Sequence, residues 1–233
     1  MTGASDDQTS VRFASDVSPL VIRTWHLDQV RPFLEHPDSS GPPMVARHYS
    51  AVSRHADRRL WEQLGLQYGI LELAAGLLGR EWVTFPAHLH LGPRRTPFAA
   101  IIEIMQGSAW VLLQKVDSFD RLHTAARLRL EAGERAILPP GHIHAVMNVG
   151  SIPLVVAEAH AADTIGDFES VARHRGAGYY GSPEGLRPNP HYRAHPRVKE
   201  LSNAVMAPPD TGGRDLYRAL LEWPERFRFL HPY

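Results

Sequence analysis

Between residues 66 and 160 the sequence consists of short apolar segments separated by glycines and prolines, and this pattern restricts the fold to a narrow class. The segments have the length and spacing of β-strands, and no helical periodicity is sustained across the region. Strands this short and regularly punctuated are typical of antiparallel sandwiches and barrels. The sequence therefore predicts an all-β domain. Its strands are expected at 66–74, 80–91, 99–107, 109–116, 126–133, 135–140, 144–150 and 152–160.

The flanking regions have a different character and are predicted to be arms of the barrel. Helical patterns at 55–65 and 214–223 lie on either side of it, and the second ends at Pro224. The predicted organisation is a disordered leader (1–17), an N-terminal arm with helices and an edge strand (18–65), the barrel (66–175), and a C-terminal arm with a terminal helix (176–233). The role of residues 194–233 is left open.

Composition excludes several classes of function. The chain has 25 basic and 25 acidic residues, so it lacks the positive excess that binding to nucleic acid requires. It has no cysteine, which excludes disulfides, thiolate metal sites and cysteine nucleophiles. The polar first residues and the absence of a long apolar run predict neither export nor a membrane partner, and thus a cytoplasmic protein.

Two histidine pairs stand out among the 14 histidines. His88 and His90 are two residues apart, so on a strand both imidazoles face the same side and can bind one ion. His142 and His144 follow a Pro-x-Gly turn in the stretch GERAILPPGHIHAVMN, residues 133–148. Such a turn reverses the chain between two barrel strands, and the next strand can begin with a histidine that faces inward.

These two stretches resemble the conserved motifs of the cupin superfamily. The second motif is matched at Gly133, Pro139, Gly141, His144 and Asn148, and the His-x-His pair resembles the opening of the first motif. The resemblance implies a single cupin barrel, an antiparallel double-stranded β-helix or jelly roll. It also implies one divalent metal ion (Fe, Mn, Ni or Zn) bound by three imidazoles. The metal ligands are then predicted to be His88, His90 and His144.

Within the superfamily the chain is most similar to the archaeal cupin-type glucose-6-phosphate isomerases. The similarity runs from about Val21 to Tyr192 and includes REWVTFPAHLH, GSAWVLLQ, LPPGHIHAVMNVGSIPLVV, AEAHAADTIGDF and GYYGSPEGLRPNPHY. It implies a metal-dependent homodimer that interconverts an aldose phosphate and a ketose phosphate. Extra N-terminal strands pair the barrels in that family, so we expect a dimer through residues 44–74.

The chain departs from this family at several expected active-site positions. Ala100 occupies the position of a glutamate ligand, Ile102 that of a tyrosine, and Phe85 that of a threonine. Phe168 likewise replaces a tyrosine. These changes predict a small-molecule substrate that is less polar than a sugar phosphate. Phe85, Ile102, His142 and Phe168 are the predicted substrate-binding residues.

Three further residues are candidates for catalysis. Glu158 and His160 are two apart on a strand that, by the family pattern, borders the cavity. Glu103 is the only carboxylate near the missing ligand position, but its odd offset from Ala100 turns it to the opposite face unless a bulge intervenes. We therefore expect three histidine ligands and no carboxylate.

Three functions remain open from the sequence. The first is a metal-dependent isomerase or epimerase that acts on a sugar phosphate or related hydroxy-carbonyl compound. The second is a three-histidine iron cupin that carries out oxygen or tailoring chemistry on a less polar molecule. The third is a non-catalytic binding module that the metal stabilises.

Overall fold

The structure is a computed structural model that describes residues 10–117 and 120–231. Its described strands are β1 (Val17–Ser18), β2 (Val21–His26), β3 (Met44–Ser50), β4 (Ser53–Arg54), β5 (Leu66–Leu73), β6 (Leu77–Leu78), β7 (Glu81–Trp82), β8 (Thr84–Leu91), β9 (Ala100–Gln106), β10 (Ser108–Val116), β11 (Leu122–Glu131), β12 (Arg135–Leu138), β13 (Ile143–Asn148), β14 (Leu154–Ala161), β15 (Ile165–Asp167), β16 (Tyr179–Ser182), β17 (Gly185–Pro188) and β18 (Lys199–Leu201). The helices are α1 (Leu27–Val30), α2 (Arg58–Leu64), α3 (Glu169–Ala172) and α4 (Leu216–Glu222), with 3-10 turns at Arg31–Phe33, Pro93–Arg95, Asn203–Met206 and Pro224–Leu230.

Two six-stranded sheets form the barrel. The first sheet has the strand order β15-β8-β13-β10-β11-β18, and the second has the order β12-β9-β14-β5-β3-β2. All neighbours within them are antiparallel except β11 and β18. This architecture confirms the predicted all-β jelly-roll barrel. None of the helices within the described ranges has the length and apolar character needed to cross a bilayer.

The main core lies between the two sheets and follows the alternation of each strand. Ala100, Ile102 and Ile104 of β9 face this core, whereas Ile101 faces the outer side of the second sheet. The outer side is covered by α2, α4 and the last 3-10 turn, which contribute Trp61 among other buried residues. The helices thus pack on the outer side of the second sheet, and residues on its inner face can line a cavity inside the barrel.

The N-terminal region contributes to the barrel itself. Strands β2 and β3 extend the second sheet beyond β5. The predicted disordered leader differs from the structure in its described part: Ser10 N–H donates to the Glu72 carboxylate at 2.6 Å, and the Phe13 ring packs against Tyr49 at 5.1 Å. Residues 1–9 of that leader lie outside the described residues. At the other end, the predicted C-terminal arm contains the hairpin β16–β17.

Candidate metal centre

Three histidine side chains meet on the inner face of the first sheet. His144 on β13 lies directly opposite His88 on β8, and His90 is two residues further along β8. A nitrogen of each ring lies within 4.8 Å of a nitrogen of the other two, and the Nε2 atoms of His88 and His90 are 3.2 Å apart. Two imidazoles bound to one ion at about 2.1 Å, at roughly a right angle, would place their nitrogens about 3 Å apart. The set therefore has the spacing of a metal site.

A bulge in β8 gives His88 this orientation. The register between β13 and β8 shifts so that His144 faces His88 while Val146, two residues later, faces Phe85. Phe85 and His88 are three residues apart, and strict alternation would turn them to opposite faces. The extra residue at Pro86–Ala87 restores both side chains to the interior, where their rings lie 5.5 Å apart. Proline is tolerated in a strand at such a bulge.

The chemistry of the three donors fits a divalent metal ion. All three side chains are buried, and burial lowers the pKa of His88 and holds the pKa values of His90 and His144 well below the ordinary histidine value. Neutral imidazole is the form that binds metal. Nδ1 of His88 donates to the Pro86 carbonyl at 3.0 Å, which leaves Nε2 as the ligand atom. These three residues could together hold one ion.

A cavity of about 300 Å³ opens beside this cluster and extends to the edge of the second sheet. Its wall combines three kinds of side chain: histidines of the cluster, polar groups of the second sheet and aromatic residues that pack against His88. The lining residues are Val21, Arg23, Trp25, His48, Ser50, Gln67, Leu71, Phe85, His88, His90, Glu158, His160, Thr164, Gly166 and Phe168. The site thus has room for a small molecule next to the three histidines.

Glu158 and His160 lie on the cavity wall opposite the cluster. His160 pairs with Ala100 across β14 and β9, so both face the interior, and its ring lies 5.3 Å from that of His90. Nδ1 of His160 donates to the Ala161 carbonyl at 2.8 Å, and its Nε2 is 4.0 Å from the Glu158 carboxylate. Ala100, at the position where the family has a glutamate ligand, has no side-chain atom that could bind a metal ion.

An ion pair crosses the second sheet to hold Glu158. Nε2 of His48 on β3 donates to Oε1 of Glu158 on β14 at 2.7 Å, although β5 lies between these strands. The pair passes over Gly69 of β5, where an added Cβ would lie 3.1 Å from the His48 ring and 3.3 Å from the carboxylate. The absence of a side chain at Gly69 is therefore what allows the two groups to meet.

This pair keeps Glu158 ionised inside the barrel. Burial disfavours the carboxylate, but the charge of His48, its hydrogen bond and smaller contributions from His160 and His90 together hold the pKa of Glu158 well below its ordinary value. Burial likewise opposes the charged form of His48, yet Glu158 raises the pKa of this histidine. A second hydrogen bond joins Nδ1 of His48 to Ser50 at 3.2 Å. The cavity thus contains a carboxylate that is charged and fixed in position.

The structure brings most of the residues predicted from the sequence to the cavity, but not all of them. Phe85 and Phe168 line it, and Trp25 packs against both rings at 5.5 and 5.3 Å. Ile102 does not line it, because it lies in the core between the sheets. His142 also lies away from the lining: it remains in the turn, where Nδ1 bonds to the Pro140 carbonyl at 3.2 Å.

Glu103 has a different role from the catalytic one predicted. It lies on the outer face of β9, as its odd offset from Ala100 indicated, and no bulge returns it to the interior. Its carboxylate pairs with Arg135 at 2.8 Å and accepts the backbone N–H of Leu216 at 2.8 Å. Glu103 therefore fixes the start of α4 to the barrel.

Replacing Glu103 by alanine should destabilise the protein without affecting its metal content. The change leaves Arg135 half-buried without its partner, and loss of one member of such a pair costs about 3 kcal/mol of unfolding free energy. Denaturant unfolding and elemental analysis would measure the two quantities. The matched control is Glu222→Ala in α4, which removes an exposed pair with Arg214 and should cost less than about 1 kcal/mol. A large loss of metal from Glu103→Ala would contradict the three-histidine site.

Sequence reasoning missed the contribution of the N-terminal strands to the site. The sequence pattern singles out none of His48, Arg23 and Trp25 as site residues. The alternation of β3 places His48 and Ser50 on one face, but a strand pattern by itself does not tell which neighbour that face will meet. Only the pairing of β3 with β5 directs His48 into the cavity.

The sequence matches one known protein family. The sequence profile of the glucose-6-phosphate isomerase (GPI) family matches residues 43–195, about two thirds of the chain. Among curated proteins, none matches the sequence.

Several solved structures are similar to parts of the chain. Peruvianin-I, a cysteine peptidase from Thevetia peruviana latex, is 20% identical over 45% of this chain and 56% of its own, with a TM-score of 0.35. Vicilin from Corylus avellana (hazelnut) is 16% identical over 57% and 34%, with a TM-score of 0.40. Oxalate decarboxylase from Lactobacillus farciminis is 19% identical over 52% and 31%, with a TM-score of 0.37. The matched region spans about a third to just over half of these proteins' own length.

Proposed function

The chain belongs to the glucose-6-phosphate isomerase (GPI) family, and from this membership we propose that it is a metal-dependent isomerase. Its substrate would be a small hydroxy-carbonyl compound of the sugar-phosphate type, converted between aldose and ketose forms. The observation that carries the proposal is the placement of an ionised carboxylate, Glu158, across one cavity from three buried neutral imidazoles.

His88, His90 and His144 would hold the metal ion, and Fe, Mn, Ni and Zn all suit such a ligand set. When bound, the ion would supply a Lewis acid that polarises the substrate's carbonyl and hydroxyl oxygens. The three imidazoles need not lose a proton to bind the ion, because burial already favours their neutral forms.

Glu158 would move the proton during isomerisation. Its carboxylate takes the proton from the hydroxyl-bearing carbon next to the carbonyl and returns it to the former carbonyl carbon. The hydroxyl proton passes to the carbonyl oxygen, and His160, which lines the cavity beside Glu158, would carry it. His48 fixes the carboxylate through the 2.7 Å bond and is a positioning residue. No atom is gained or lost in the reaction.

A second candidate function is supported by the aromatic part of the cavity. Trp25, Phe85 and Phe168 form a continuous apolar wall beside the histidines, and Ala100 provides no carboxylate ligand. A three-histidine iron site with open positions suits oxygen chemistry on an apolar molecule. This candidate requires iron, whereas the isomerase does not.

We also propose that the protein is a homodimer, and that the free edge of the second sheet adds to the contact expected at residues 44–74. Strands β3 and β5, within residues 44–74, each have neighbours on both sides and offer no free edge. The last strand of the sheet is β2, and at its start Val21, Ile22 and the preceding Leu20 are 56–60% exposed. A second copy would cover this edge. A solution mass near that of one chain would disprove the dimer.

The experiment that tests the proposed function combines metal analysis with an isomerase assay. Protein purified without chelators or added metal would be analysed for metal and incubated with glucose 6-phosphate in D₂O. About one equivalent of metal, formation of a ketose phosphate and uptake of deuterium at carbon would support the isomerase. Bound iron with oxygen consumption and no isomerisation would favour the second candidate. Absence of metal even after reconstitution would overturn both and leave a binding module.

A further inference from the structure

Arg23 is a charged residue of the cavity wall whose charge is not neutralised by the protein. Glu158, the carboxylate of the lining, is already paired with His48. Within residues 10–117 and 120–231, the Arg23 guanidinium has neither an ion pair nor a hydrogen bond to another side chain. The cavity therefore carries an unbalanced positive charge on the side of β2.

The position of this charge is fixed by two neighbours. Arg23 on β2 lies directly opposite His48 on β3, so the two side chains share one face of the sheet. The Arg23 guanidinium stacks on the Trp25 indole, with its central carbon 4.1 Å from the ring centroid. Stacking orients the plane of the guanidinium and leaves its N–H edges free to bind an oxyanion.

A second, independent observation points to a ligand in the same cavity. The Oγ1 atom of Thr164 is buried without a hydrogen-bond partner among the described residues, and Thr164 lines the cavity. A buried hydroxyl without a partner is costly unless a ligand or water bonds to it. Gln67 and Ser50 add further polar atoms to the wall. The cavity is thus more polar than Phe85 and Phe168 suggested.

We propose that Arg23 is the specificity-determining residue of this site and binds the anionic group, phosphoryl or carboxylate, of a small substrate. Thr164 would donate a further hydrogen bond to the substrate. The inference rests on the proposed function only for the reaction that the substrate undergoes. Binding of an anion at Arg23 can be measured whether or not the protein is an isomerase. The anion would lie at the β2 side of the cavity, which leaves the reacting carbons for Glu158 and the three histidines.

The test measures anion binding to the metal-loaded protein by calorimetry, with inorganic phosphate and acetate as probes. Arg23→Gln should weaken binding of the preferred anion at least tenfold, about the contribution of one charged hydrogen bond. Its metal content should not change. The matched control is Arg127→Gln: Arg127 also stacks on an indole, that of Trp110 at 3.9 Å, but lies on β11 of the other sheet. This control should bind the anion like the wild type.

The outcomes separate this inference from the proposed function. Arg23-dependent binding of phosphate, tighter than that of acetate, would support a phosphoryl substrate, and the reverse order would support a carboxylate. Such binding without isomerisation would retain the anion site and reject the isomerase. If the isomerase is active, Arg23→Gln should raise KM more than it lowers kcat. Equal affinity of wild type and Arg23→Gln for both anions, or no binding at all, would overturn the inference.

Discussion

Replacing His144 by alanine should leave a folded barrel that no longer retains a metal ion. His144 is one of only three nitrogen donors in the cluster, and the structure offers no carboxylate at Ala100 to take its place. Loss of a group that merely supports a ligand typically lowers metal affinity 10–100-fold. Loss of a ligand itself should therefore exceed about 100-fold, enough to empty the site during purification.

The measurement is the number of metal equivalents per chain, with circular dichroism to verify folding. His123→Ala provides a matched control, because His123 lies on β11 of the same sheet but its side chain is 59% exposed. Wild type and control should contain about one equivalent, and His144→Ala almost none. A stoichiometric metal in folded His144→Ala would show that these histidines do not form the site.

Replacing Glu158 by glutamine should abolish most of the isomerase activity while the metal remains bound. Glutamine has nearly the same shape and can still accept a hydrogen bond from His48, but it cannot take a proton from carbon. Removal of a positioned general base typically lowers the rate 10²- to 10⁴-fold. We expect kcat to fall within that range, and uptake of solvent deuterium into the product to fall in parallel.

Glu131→Gln is the control for this change. Glu131 lies at the end of β11 and pairs with Arg129 at the surface, so its loss should leave kcat unchanged. Turnover of Glu158→Gln at the wild-type rate would remove Glu158 from the mechanism. If the wild-type protein isomerises the substrate but its product contains no deuterium, a hydride and not a proton moves between the two carbons.

Local sequence patterns were sufficient to predict the barrel and the cluster of three histidines. The short strands between residues 66 and 160 appear in the structure close to their predicted bounds, because each carries its own alternation and ends at a turn residue. The cluster was predictable for a related reason. His88 and His90 share a face at a separation of two residues, and His144 follows a Pro-x-Gly turn that sets the start of β13.

Local alternation also predicted which way Glu103 faces, but not what it binds. Its contacts are with Arg135 on the neighbouring strand and with Leu216, more than one hundred residues away in sequence. For Phe85, local alternation fails to predict even the direction of the side chain, because its position beside His88 depends on a bulge in β8.

The other contacts in the cavity depend on the tertiary structure and could not be predicted from local sequence patterns. His48, Gly69 and Glu158 lie on three strands, and the ion pair exists because those strands are neighbours and the middle one has no side chain at the crossing. Arg23 reaches the cavity because β2 adds to the edge of the same sheet. Alternation fixes which side chains of one strand share a face, whereas the partners across a sheet depend on which distant segments pair, and that choice is made by packing of the whole barrel.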